Sequence, residues 1–136
     1  MLQRAPGFTL IEMMVVVAIV AILLRIAIPS YQRYVQRGDI VEATQALAQY
    51  RVQMEQYYQD NSSYSNGGNC GVASPTLVNF TLTCALSNGG QAYTATATGN
   101  SGTQVNGFTY TINQANLQAT TATGWGSTST TGWIVR

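Results

Sequence analysis

The side chains able to do chemistry are few enough to take singly. The 136-residue chain has no His and no Lys, and it carries six Arg, five acidic residues and two Cys. General acid–base and nucleophilic catalysis need a titratable group beside a matched partner. The sequence offers no Cys-x-x-Cys, no glycine-rich phosphate loop and no acidic pair in its C-terminal half. No enzyme, metal or cofactor is therefore expected. Cys70 and Cys84 remain, spaced to close a loop of about 15 residues, a cross-link worth roughly 3 kcal/mol by chain entropy. An exported chain favours that disulfide over two separate buried thiols. Glu12 and Arg25 also remain, each an isolated charge in an otherwise apolar run from Phe8 to Ile28.

That run spans 21 residues (28 − 7), which as a helix is about 31 Å, enough to cross a bilayer core. A charge at mid-bilayer costs at least about 2.5 kcal/mol, so both charges need a reason. Glu12 closes Thr9-Leu10-Ile11-Glu12, a capping-box pattern, and a carboxylate in the first turn suits the helix dipole. Cleavage of the chain at Gly7 would give Glu12 a second partner, the new α-amino group of Phe8. The leader Met1 to Gly7 is basic and ends on its small residue before the apolar segment, the reverse of a secretory signal peptide, so the apolar helix would be kept. Arg25 lies three residues inside Ile28, where its long side chain can snorkel to the outer interface. The alternative is a pair with Glu12 of a staggered neighbour. Within one helix the two are 13 residues (25 − 12), or about 20 Å, apart, so a direct pair must be intermolecular.

Charged residues make up only 8% of the chain, and after Asp60 the one side-chain charge is Arg136. Without residues 1–7 the chain has five Arg against five acidic groups, a net of zero. Long-range attraction of nucleic acid by net positive charge is therefore not expected.

The run Gly7-Phe8-Thr9-Leu10-Ile11-Glu12, continued by Pro29-Ser30-Tyr31 and Tyr34, resembles the N-terminal motif of the type IV pilin family. Glu42-Ala43-Thr44, Met54 to Tyr57, Tyr93 to Gly99 and Gly107 to Asn113 resemble the proteobacterial minor pilins of the PilE and ComP groups. The resemblance implies cleavage by a prepilin peptidase between Gly7 and Phe8, N-methylation of Phe8, and docking of incoming subunits through Glu12. The implied partners are other pilin subunits, the peptidase and the inner-membrane assembly platform. The chain would sit in the inner membrane of a Gram-negative bacterium before assembly and in an extracellular pilus afterwards.

The function so implied is a structural subunit of a type IV pilus, of minor type, supporting biogenesis, twitching, adhesion or DNA uptake. One alternative is a type II secretion pseudopilin, whose acidic calcium ligands have no counterpart after Asp60. Another is a ComP-like DNA-binding minor pilin, which would need cationic groups on its head. The chain departs from the family pattern in three places: Arg25 replaces a small apolar residue, Ala21 stands where many pilins have Gly, and no Cys lies near Gly132.

The expected fold is α+β. After a leader (1–7) come a membrane-spanning assembly helix (8–29), an amphipathic helix (30–60) and a disulfide-closed β head (61–136). Pro29 removes one amide and is expected to kink the helix rather than end it. Ile40, Ala43, Leu47, Tyr50, Met54 and Tyr57 form an apolar stripe at steps of three and four. Phe80, Leu82, Cys84 and Leu86 alternate with polar residues, as do Tyr93, Ala95 and Ala97, then Phe108, Tyr110 and Ile112, then Leu117 and Ala119. About four antiparallel strands with one face on the helix are expected. Trp125 and Trp133 are read as covers for the sheet edge and core. Asn61 and Asn79 open glycosylation sequons, and Ser127 to Thr131 offers hydroxyls for O-linked sugar.

Overall fold

A computed structural model describes residues 7–135. The leader residues 1–6 and Arg136, for which expectations are stated above, lie outside the described residues. One helix, α1 (Leu10–Asn61), carries the N-terminal part of the chain, with Pro29 inside it. The chain divides after Val35 into two compact units.

Among the described residues, the N-terminal unit holds no regular structure besides the first part of α1. Its apolar side chains are uncovered among the described residues: Leu10, Ile11, Ile22 and Ile26 are all exposed, and no residue of its most apolar 18-residue window, of mean hydropathy 2.7, is buried.

The second unit, from Gln36 on, encloses the core. Ile40, Ala43, Leu47, Tyr50 and Met54 of α1 are buried against the sheet, following the predicted stripe as far as Met54, while Tyr57 is only half-buried. Thr44 is buried in the same stripe, and its hydroxyl bonds back to the Ile40 and Val41 carbonyls, so no polar group is stranded there. After Asn61 come a two-stranded hairpin, β1 (Ser65–Asn66) and β2 (Asn69–Cys70), and then β3 (Phe80–Ser87), β4 (Ala92–Gly99), β5 (Phe108–Asn113), β6 (Gln118–Ala122) and β7 (Ser127–Ser129). The last five form one antiparallel sheet in sequence order.

The core face of the sheet is made by Phe80, Leu82, Tyr93, Ala95, Ala97, Phe108, Tyr110 and Ile112, as the alternation predicts. The small Ala95 and Ala97 on the second strand leave room for the large side chains of α1 and of the flanking strands. The opposite face carries a row of register partners, Thr81, Thr98, Thr109, Thr121 and Thr128, across all five strands. Threonine suits both the pleat and water.

The structure differs from the sequence reading in the last strands. The sheet has five strands rather than about four, because β7 is a Ser-Thr-Ser segment with no apolar alternation to announce it. In β6 the inward positions are Thr120 and Ala122, not Leu117 and Ala119. Asn113 fixes this phase: its side-chain oxygen accepts the Leu117 amide at 2.9 Å and its own amide donates to the Leu117 carbonyl. Asn116 supplies the left-handed turn (φ 57°), and Leu117 is left exposed outside the strand. The buried Thr120 hydroxyl bonds to the Gly132 carbonyl and the Ile134 amide, which ties the C-terminal segment to β6.

Candidate functional site

The chemistry-bearing residues fall at the start of α1 and in the head. Gly7, Phe8 and Thr9 precede the helix, and Phe8 is 80% exposed. Thr9 is the residue just before the helix, and its Oγ1 accepts the backbone N–H of Glu12 at 3.3 Å. That is the threonine half of the expected capping box, and it satisfies one of the first-turn amides. The Glu12 side chain is exposed in the first turn, one turn beyond Phe8. Arg25 is likewise exposed on the helix. The helix runs through Pro29 without a break in its assignment.

In the head, Cys70 and Cys84 form a disulfide with Cα atoms 6.2 Å apart. It pins the β1–β2 hairpin to the edge strand β3, and both residues pack on the core. The intervening chain is held a second time by Tyr50, whose hydroxyl donates to the Val72 carbonyl at 2.9 Å. Gly71 passes over the Tyr57 ring so closely that a Cβ there would strike it.

The tyrosines in the last turns of α1, Tyr50, Tyr57 and Tyr58, are fastened into the head. Tyr58 stacks on Tyr64 with centroids 4.5 Å apart, Tyr64 meets Tyr93 edge-on at 4.8 Å, and Tyr93 meets Tyr50 at 6.5 Å. The Tyr64 hydroxyl donates to the Glu55 carboxylate at 3.1 Å. Burial first, and then that neighbouring carboxylate, push the Tyr64 phenol up to about 12. Burial alone pushes Tyr110 up to about 12, with its hydroxyl donating to the Ile134 carbonyl at 3.0 Å. Burial likewise raises Tyr50 and Tyr93, in Tyr93 with the Glu55 charge adding to it. These phenols stay protonated in any ordinary medium; Tyr50, Tyr64 and Tyr110 act as packing and hydrogen-bonding groups, while the Tyr93 hydroxyl is buried without a partner among the described residues.

Both tryptophans take the covering role expected of them. Trp125 meets Phe108 edge-on at 4.8 Å, and Trp133 donates its indole N–H to the Thr111 carbonyl at 2.9 Å. The sequence reading overlooked Tyr64 and Val105, both buried, which sit in polar loops where periodicity gives no sign of them.

A family model described as "Type IV minor pilin ComP, DNA uptake sequence receptor" matches residues 29–124, and one described as "Prokaryotic N-terminal methylation motif" matches residues 2–27. The chain belongs to the type IV pilin family. Among curated relatives, this pilin is 30% identical over 126 residues to prepilin peptidase-dependent protein D of Escherichia coli, covering 91% of this chain and 82% of the relative. It is 41% identical over 69 residues to the type IV major pilin protein PilE1 of Neisseria gonorrhoeae, which covers 51% of this chain but 32% of that protein. A solved type IV pilin from Shewanella oneidensis shares the fold, with a TM-score of 0.52 at 13% identity over 61% of this pilin and 89% of that chain.

Proposed function

We propose that this pilin is a structural subunit of a type IV pilus, cut between Gly7 and Phe8 by a prepilin peptidase, N-methylated on Phe8, and held in the inner membrane by its apolar helix until assembly. The observation that carries this reading is the exposed Glu12, one turn from Phe8, at the start of a helix whose apolar surface the chain leaves uncovered. Moving such a helix from lipid into a bundle of like helices nearly conserves its apolar burial. Charge pairing then has to select position, and Glu12 opposite the α-amino group of Phe8, on its own or a neighbouring subunit, supplies it. Pro29, which cannot donate an amide, is the point at which the helix can bend or loosen during that transfer. The head is a neutral, disulfide-closed surface and serves as structure rather than catalyst.

The test is Glu12→Ala. The variant should enter the membrane at wild-type level and fall at least about tenfold in sheared filaments; wild-type incorporation would refute the docking role.

The match to the ComP model favours a second reading, a DNA receptor within the pilus. Against it stands the charge distribution: beyond residue 35 the described residues offer only Arg37 and the half-buried Arg51 as side-chain cations. Phosphate binding without several cations is weak, and what there is disappears with salt. Salt-sensitive, sequence-selective binding of duplex DNA by the purified pilin would establish the receptor reading, and its absence at about 50 mM salt would exclude it.

A further inference from the structure

Resting on the reading as a filament subunit, we propose that Arg25 of one copy of this chain pairs with Glu12 of the next, setting a stagger of 13 residues between parallel helices.

Between Phe8 and Gln32, Glu12 and Arg25 are the only side chains charged at neutral pH. Both are exposed on a continuous helix. In a bilayer Arg25 can snorkel to the interface. In a core of packed apolar helices that exit is gone, and an unpaired charge there is strongly disfavoured.

The two charges are complementary, and their placement dictates how they meet. Thirteen residues at 3.6 per turn put them about 20 Å apart along the axis and about 140° apart around it, on nearly opposite faces. A pair of helices in register, or related by a twofold axis, leaves Glu12 and Arg25 at different heights or on the wrong sides. A parallel neighbour advanced by about 20 Å brings them level.

Because the donor face and the acceptor face of each helix are different, the contact is heterologous. It repeats from copy to copy without closing, which is the requirement for a filament.

Cysteine cross-linking in the full-length chain tests the offset. Val16 is four residues beyond Glu12 and Ile28 three beyond Arg25, which in parallel helices at this stagger puts them on the same side of the contact and nearly level. Filaments containing Val16→Cys/Ile28→Cys should oxidise to a series of covalent multimers, while Val16→Cys/Ile22→Cys, a six-residue offset, should remain monomeric. Absence of the multimers from filaments that hold the chain, or their appearance only in the control, overturns the proposal. In a second test, Arg25→Ala should lower the chain's share of sheared filaments at least about tenfold at unchanged membrane content, with Arg25→Lys retaining more than half. Equal incorporation of Arg25→Ala overturns the pairing. Wild-type chain missing from the filaments would instead defeat the filament reading on which the pairing rests.

Discussion

Removing the disulfide should destabilise the head by an amount set largely by its loop. Cys70 and Cys84 are 14 positions apart, so the bond closes a ring of about 15 residues. The loop-entropy relation gives about 10 cal/mol/K, or about 3 kcal/mol at 25 °C, lost from the unfolded ensemble. The second compact unit runs from Gln36 to Arg136. At about 2.1 cal/mol/K per residue, a unit of about 100 residues unfolds with an entropy near 0.2 kcal/mol/K, so 3 kcal/mol corresponds to a fall in Tm of about 14 °C. The perturbation is Cys70→Ala/Cys84→Ala in the full chain held in detergent, followed by near-UV circular dichroism, which reports the Tyr50, Tyr64 and Tyr93 cluster. A fall below about 4 °C would refute the reasoning. It would mean that the Tyr50 bond to Val72 and the packing of Val72 and Leu77 on the core already order this segment without the cross-link.

Gly99→Ala should be among the most damaging single changes in the head, since a Cβ there falls on the backbone carbonyl of Val105; a loss of about 3 kcal/mol in urea unfolding is expected, and a loss under 1 kcal/mol would contradict the close approach. Stability should also decline in alkali. The Tyr64 and Tyr110 phenols are raised from 10.0 to about 12, so the folded state keeps protons that the unfolded state releases. The contribution is complete below about pH 10 and is lost as pH rises towards about 12. Urea midpoints that stay flat from pH 9 to 11.5 would contradict the burial of these phenols.

How much of this was legible depended on contrast between neighbouring side chains. The α1 stripe from Ile40 to Met54 and the alternation in β3, β4 and β5 could be read because large apolar groups face Thr, Gln and Ser at fixed periods. In β6, Gln-Ala-Thr-Thr-Ala offers little difference between its two faces, and the one large residue nearby, Leu117, lies in the turn. The side chain of Asn113 decides the phase there, and a hydrogen bond of that kind leaves no periodic trace. The strand β7 is held by pairing with β6 alone. Val105 is a lone apolar residue between Gly99 and Gly107, and that isolation among polar neighbours was the available signal that the loop folds back on the core. At the helix start, motif and geometry concern the same residues. Thr9 and Glu12 are joined through the threonine half of the capping pattern, and what the Glu12 carboxylate binds beyond its own helix belongs to the assembled filament.

The most direct measurement of the central claim is intact mass of this chain in filaments sheared from the source cells. A chain that begins at Phe8, bears one N-methyl group and is two hydrogens lighter than its dithiol form is the predicted result. A chain that retains residues 1–7, or that is missing from the filaments while abundant in the membrane, would contradict it.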